Sequence, residues 1–236
     1  MAIAFVQCTT GLGASGTTDF GSYTNGVLVV ALSAATDPSA LTINGVAGTR
    51  RVHDTSNMAT PILDLWTVPV GTMSGSVSWS WTGGSSISTQ VSGYSGADQS
   101  TTVDQSGSTD CAGCQTATNT ITPTVSNSWA IGYAAKNGAC AGDSAVNMEN
   151  RSSPGNPNAL GFGDSNAAIT ISVAYTQSVT GSGCNQQWSM MQLNIREAAA
   201  AGPANVKTWD GAAQATAVKT YMGNTVANTK TVNGLN

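Results

Sequence analysis

Charge is what this sequence has least of. Only 8% of its 236 residues are Asp, Glu, Lys or Arg, where about 25% is usual for a globular chain. The acids are nearly all Asp, the two glutamates being Glu149 and Glu197. With no basic cluster and a pI near 4.6, a phosphate-facing nucleic-acid surface is excluded, because such binding rests on grouped Lys and Arg. No apolar run approaches the ~18 residues of a membrane-spanning helix, so no membrane role is expected. Residues 1–10 lack the basic stretch and long apolar segment of a secretion signal. The chain is therefore expected to be used without export or to have lost such a signal.

Catalytic residue types are equally sparse. His53 is the single histidine, and no Gly-x-Ser-x-Gly turn supplies a nucleophile for it to activate. Next to Asp54 at a strand end, His53 reads as a surface residue. Glycoside hydrolysis needs two carboxylates about 5–10 Å apart in a cleft, and the aspartates here fall mostly in turn-like segments. Gly11-Leu12-Gly13-Ala14-Ser15-Gly16 spells the dinucleotide fingerprint, but the residues after it make a poor helix, and the fingerprint works only by placing pyrophosphate at a helix N-terminus. It reads as a glycine-rich loop. The expectation is a non-enzymatic chain without cofactor or metal.

Gly, Ser, Thr, Asn and Ala take the place of charge. Disordered chains are poor in β-branched and aromatic residues and carry high net charge; this one has six Trp and a net charge of −4, so it should fold. Helical periodicity is nearly absent. Short runs rich in Val, Ile, Trp and Thr, separated by turn residues, predict strands near 2–9, 26–34, 41–44, 49–53, 62–68, 75–82, 87–94, 118–124, 128–135, 168–176 and 187–196. In Ser76-Val77-Ser78-Trp79-Ser80-Trp81 every second residue is apolar, which places the aromatics on one face and the serines on the other. Asn44-Gly45 marks a tight hairpin, since both residues tolerate positive φ. About eleven short strands with one wet face predict an all-β, antiparallel sandwich or jelly roll. Trp66, Trp79, Trp81, Trp129 and Trp188 sit inside these strands and are expected in the core.

Of the five cysteines, Cys8 alternates with apolar neighbours and reads as a small buried hydrophobe. Cys111 and Cys114 fall in a polar loop and are candidates for a bridge to each other. Cys140 and Cys184 lie in glycine-rich loops and are candidates for a second. Zinc would require further cysteine pairs or nearby histidines.

The chain changes character at Ala198-Ala199-Ala200-Ala201-Gly202-Pro203, a small-residue linker. Beyond it, Lys207-Thr208-Trp209-Asp210-Gly211, Lys219-Thr220-Tyr221-Met222-Gly223 and Lys230-Thr231-Val232-Asn233-Gly234 repeat with a spacing of 12 and then 11 residues. Each unit is a short strand running into a glycine turn. A unit this small has no core of its own, so Lys207, Trp209, Lys219, Tyr221, Lys230 and Asn233 are candidate partner-docking residues, with the aromatics as anchors. The expected organisation is a sandwich over 1–197, a linker over 198–205 and a short extended tail over 206–236.

Two resemblances follow from these motifs. The succession Gly26-Val27-Leu28-Val29-Val30-Ala31, Leu41-Thr42-Ile43-Asn44-Gly45, Leu65-Trp66-Thr67-Val68-Pro69, Gly75-Ser76-Val77-Ser78-Trp79, Val91-Ser92-Gly93-Tyr94-Ser95-Gly96-Ala97-Asp98 and Leu193-Asn194-Ile195-Arg196 resembles the lectin-like jelly-roll modules of secreted bacterial and phage-encoded surface proteins. The tail is similar to the Lys-Thr/Ser-x-Asn-Gly repeats at the C-termini of many phage structural proteins. Together they imply a virion surface protein, made in the host cytoplasm and carried on the particle. Its expected partners are other capsid or fibre subunits, with homo-oligomers such as trimers the common arrangement. The alternative is a carbohydrate-binding adhesin gripping surface glycans. For that function Tyr94, Asp143, Asp164 and Asn166 are the candidate contacts, the last three also offering oxygen ligands of the kind calcium takes.

Overall fold

The alternation in Ser76–Trp81 sets the pattern of the molecule: Val77, Trp79 and Trp81 are buried, and Ser76, Ser78 and Ser80 between them are exposed. The computed structural model of the protein describes residues 2–54, 62–85, 87–137, 141–151, 159–182 and 186–199. The chain divides into a unit Met1–Ala199 and a unit Ala200–Asn236. Every described residue belongs to the first. The six candidate docking residues of the tail lie outside the described residues, as do Cys140 and Cys184.

Among the described residues there are strands and no helix. In chain order the strands are β1 (Ala4–Leu12), β2 (Ser15–Ala34), β3 (Thr36–Ile43), β4 (Val46–Ala47), β5 (Thr49–Asp54), β6 (Ile62–Ser85), β7 (Ser88–Ser95) and β8 (Val103–Cys114), followed by β9 (Thr116–Ile121), β10 (Trp129–Asn137), β11 (Ala141–Val146), β12 (Glu149–Asn150), β13 (Ala159–Asp164), β14 (Tyr175–Ser182) and β15 (Gln186–Ile195). They form three antiparallel sheets. The largest runs β1-β7-β2-β6-β3-β4 with β5 also on β6; the second runs β12-β13-β10-β15-β8; the third runs β11-β14-β9. The fold is an all-β sandwich.

The run Val27–Leu32 does not alternate because it is covered on both faces, as continuous apolar strands are. Val27, Val29 and Ala31 point into one core with Leu63, Leu65 and Tyr94, against Ile131, Tyr133, Phe162, Met191, Leu193 and Ile195 of the second sheet. Leu28, Val30 and Leu32 point into another, with Trp66, Val68, Val77, Trp79 and Trp81. Each fully buried side chain of this kind contributes about 1.5–3 kcal/mol. A smaller core of Ala117, Ala134, Val179, Trp188 and Met190 packs the third sheet on the far face of the second.

The second core exists because the largest sheet rolls. β2 and β6 pair from Ser15↔Ser80 to Ala34↔Ile62, with register shifts at Asp19/Ser22, Tyr23/Gly26 and Gly26/Val27. Bulges of this kind bend a strand and increase its twist. The far half of β6, still paired with the first half of β2, thereby packs Val77, Trp79 and Trp81 against Leu28, Val30 and Leu32, and Trp81 Nε1 donates to Thr89 Oγ1 of β7 at 2.8 Å. Gly16 pairs with Trp79, and a Cβ at Gly16 would lie 2.1 Å from the indole ring. The ring occupies the space that the missing side chain leaves.

The structure has more and longer strands than expected. Segments 62–68 and 75–82 are one strand, β6. The glycine-rich 11–16 segment crosses from β1 to β2 instead of forming a loop outside the sheet. Cys111 and Cys114 end β8, where they oppose Trp188 and Gln186 of β15. Of the strand expected over 168–176, only Tyr175 and Thr176 are in one, β14. Ile171 and Val173 alternate like a strand but find no partner strand among the described residues, and are 44% and 54% exposed. Asn44 and Gly45 do form the expected turn, at φ 49° and 80°, with Ile43 opposite Val46.

Candidate functional site

A charge taken out of water must be paired. Asp64 and Asp164 have fully buried side chains, and each organises a cluster around itself.

Asp64 lies between Leu63 and Leu65 in β6. These neighbours point into the inter-sheet core, so strand alternation turns Asp64 to the opposite face with Trp66. His53 of β5 is directly across from it. His53 Nδ1 is 2.5 Å from Asp64 Oδ1, and Trp66 Nε1 donates to Asp64 Oδ2 at 3.2 Å. Arg50 of β5 lies over the Trp66 ring at 4.8 Å; its Nη2 donates to Asp37 Oδ1 of β3 at 2.8 Å and to Pro38 O. Burial pushes the Asp64 carboxyl up from its ordinary value. The hydrogen bond to His53, the charge of Arg50 and the Trp66 N–H oppose this without cancelling it. Asp37, His53 and Asp64 each offer a metal-ligand atom, all within 4.8 Å of one another.

Asp164 ends β13. Arg151 grips it from two nitrogens, Nε to Oδ2 at 2.9 Å and Nη2 to Oδ1 at 3.1 Å, the two-pronged geometry that makes arginine–carboxylate pairs strong. Tyr94 of β7 donates to Oδ2 at 3.1 Å, and the Asn166 N–H donates to Oδ1 at 2.8 Å. Arg151 Nη2 also donates to Asn166 Oδ1 at 2.7 Å, and its guanidinium lies 4.3 Å over Phe5 of β1. Tyr94 is pushed far above its usual value, first by desolvation and then by the Asp164 charge. Burial works against the Arg151 cation, and the Asp164 hydrogen bond and charge outweigh it, raising its value.

Three of the four residues expected to contact glycan therefore meet: Tyr94, Asp164 and Asn166. Their role in the structure is internal. Tyr94 and Asp164 are 0% exposed and tie the first sheet to the second, so neither offers a surface to a sugar; Asn166 is exposed. The oxygens that would serve calcium at Asp164 and Asn166 are occupied by Arg151. Asp143 belongs to β11, and its side chain is outside the described set. The aromatics are core residues: Trp66, Trp79, Trp81 and Trp188 are buried, and half-buried Trp129 packs on the inter-sheet core.

The chain matches no known protein-family model, no curated protein and no solved structure.

His53 is exposed at the surface, as expected; its hydrogen-bond partner is Asp64 across the ladder and not its neighbour Asp54, because sequence neighbours in a strand face opposite ways. Asp54 turns inward and accepts from Ser189 Oγ of β15. Cys111 and Cys114 are bonded to each other. Cys8 is half-buried, with its thiol pushed up by burial against hydrogen bonds from Ser92 and Gln90. Gly13 N donates to Ile87 O and a strand follows it, so the 11–16 segment has no helix to hold a pyrophosphate. Sequence reasoning missed Asp37, Arg50, Asp64 and Arg151. The available signal was an acid inside an apolar strand, Leu63-Asp64-Leu65-Trp66, which demands a buried partner.

Solvent-facing strand surfaces carry hydroxyls in place of charge. Thr17 pairs with Ser78 at 3.0 Å, Thr116 with Thr180 at 2.9 Å and Thr120 with Thr176 at 2.8 Å.

Proposed function

We propose that this chain is a structural component of a phage virion, decorating the capsid or forming a head or tail fibre, with a lectin-like jelly-roll head anchored by its C-terminal repeats. The observation that carries this reading is the tail itself. Three Lys-Thr-x-x-Gly units follow a small-residue linker, at the place where the chain divides into two units. They keep Lys, Thr and Gly in register and put Trp209 and Tyr221 at equivalent positions.

The head supports the same reading. Its buried acids and Arg151 are held in internal clusters, and its outer strand faces are hydroxyl-rich. This gives a surface of low charge, suited to a particle outside the cell. Partners on this reading are capsid or fibre subunits and further copies of the chain, placed at the virion surface after synthesis in host cytoplasm. Oligomers of this kind are usually closed and symmetric.

The test is incorporation. Particles assembled with a chain lacking residues 203–236 should contain none of it, while the truncated head keeps the near-ultraviolet circular dichroism of the full chain. Normal incorporation of the truncated chain would overturn the proposal. Saturable glycan binding by that same head, abolished by substitutions on its exposed loops, would transfer the function to an adhesin.

A further inference from the structure

The Asp37–His53–Asp64 cluster has a cation in it that fits poorly. Arg50 Nε is buried without a hydrogen-bond acceptor among the described residues, and Asp64 Oδ2 is 3.5 Å from it, beyond the usual N–H···O range. Arg50 Nη1 is 3.4 Å from Asp37 Oδ2 and 3.3 Å from His53 Nδ1. Only Nη2 bonds closely. A guanidinium is a planar fork suited to one carboxylate edge, whereas here one imidazole and two carboxylates converge from three strands as separate point ligands.

We propose that Asp37, His53 and Asp64 bind one divalent transition-metal ion of the zinc class, in the space that the Arg50 guanidinium now fills. The ligand set suits such an ion: imidazole nitrogen and carboxylate oxygen are both zinc donors, while calcium takes six to eight oxygens. Two metal–ligand bonds of about 2.0–2.2 Å span at most ~4.4 Å, so ligand atoms within 4.8 Å of one another close on an ion with small side-chain rotations. Two carboxylates balance a dication once Arg50 swings out, and the Arg50 side chain, 25% exposed, has a route to solvent. The Trp66 N–H on Asp64 supplies the outer hydrogen bond that holds a ligating carboxylate in place. His53 and Asp37 are partly exposed, which gives the ion a way in and leaves a position open to water. An ion bound here cross-links β3, β5 and β6.

Cobalt(II) is the optical probe and zinc the functional one, each titrated into the full chain. One equivalent of cobalt should bind with d–d bands of a nitrogen–oxygen site and no sulfur charge-transfer band. His53→Ala, a substitution at a partly exposed position, should weaken binding at least tenfold. Arg50→Gln, which removes the competing internal cation, should tighten it at least tenfold. Zinc should raise the melting temperature of the wild-type and Arg50→Gln chains and leave that of His53→Ala unchanged. The proposal is overturned by absence of saturable binding in both wild type and Arg50→Gln, by a sulfur charge-transfer band, by binding that survives His53→Ala, or by affinity that does not rise in Arg50→Gln.

Discussion

Replacing Arg151 by methionine tests the idea that the sandwich is fastened by its buried charges. Methionine keeps an unbranched stem against Phe5 and removes the cation. Asp164, fully buried, then keeps two donors, the Tyr94 hydroxyl and the Asn166 N–H, and loses both guanidinium bonds. Orphaning one member of a buried pair costs about 3–5 kcal/mol. Because the Arg151 side chain is 16% exposed and water can approach from its side, the lower end applies, about 3 kcal/mol. At about 2–4 °C per kcal/mol for a chain of this size, the melting temperature should fall by roughly 6–12 °C. Asp164→Asn should cost about 2 kcal/mol, since Arg151 can turn toward solvent while the carboxylate's charge-assisted bonds are lost. The double variant leaves no orphaned charge, so its cost should fall short of the sum by about 2 kcal/mol. Urea unfolding followed by tryptophan fluorescence measures all four corners of the cycle. An Arg151→Met chain within about 0.5 kcal/mol of wild type, or strict additivity in the double variant, would mean that the Arg151–Asp164 pair does not fasten the sheets.

Other substitutions probe separate parts of the fold. Gly16→Ala drives a methyl into the Trp79 ring and should destabilise by about 1–3 kcal/mol, read from the same urea curves. Thr89→Val removes the acceptor of the buried Trp81 N–H and should cost about 1–3 kcal/mol; a neutral result would mean that this bond does not hold the rolled sheet closed. Asp98 is held below the ordinary carboxylate value by the Thr101 N–H, then by the Ser100 hydroxyl and N–H. A depressed folded value means that its stabilisation is present above the unfolded value of about 3.9 and is lost as pH falls through the folded one. Asp98→Asn should therefore lower the melting temperature at neutral pH and flatten its decline below about pH 4, and parallel acid limbs in the two chains would contradict this.

What was legible in the sequence was whatever depends on local period. The Ser-Val-Ser-Trp-Ser-Trp alternation named its own buried face, and Val27–Leu32 announced a strand by its apolar content. The Asn-Gly turn was readable because φ preference is a property of the two residues themselves. What could not be read depends on pairing. The first half of β2 is Gly-, Ser- and Thr-rich and becomes a strand only because β6 runs alongside it. Ile171 and Val173 show the reverse case, strand-like residues without a neighbouring strand among the described residues. The aspartate clusters were hidden for the same reason: Asp64 meets His53 through ladder register, and Tyr94 meets Asp164 across two sheets, 70 positions further along the chain. Tyr94, Asp164 and Asn166 were named as candidate glycan contacts, but their meeting around Arg151 depends on pairing across the sheets, and two of the three are buried.

On the proposed function, residues 206–236 assemble the protein and the sandwich folds without them. Light scattering on the full chain and on residues 1–202 tests it most directly. The prediction is a full-length oligomer, and a truncated chain that is monomeric with unchanged near-ultraviolet circular dichroism. An oligomer that persists without the tail, or a full-length chain that is already monomeric, would contradict it.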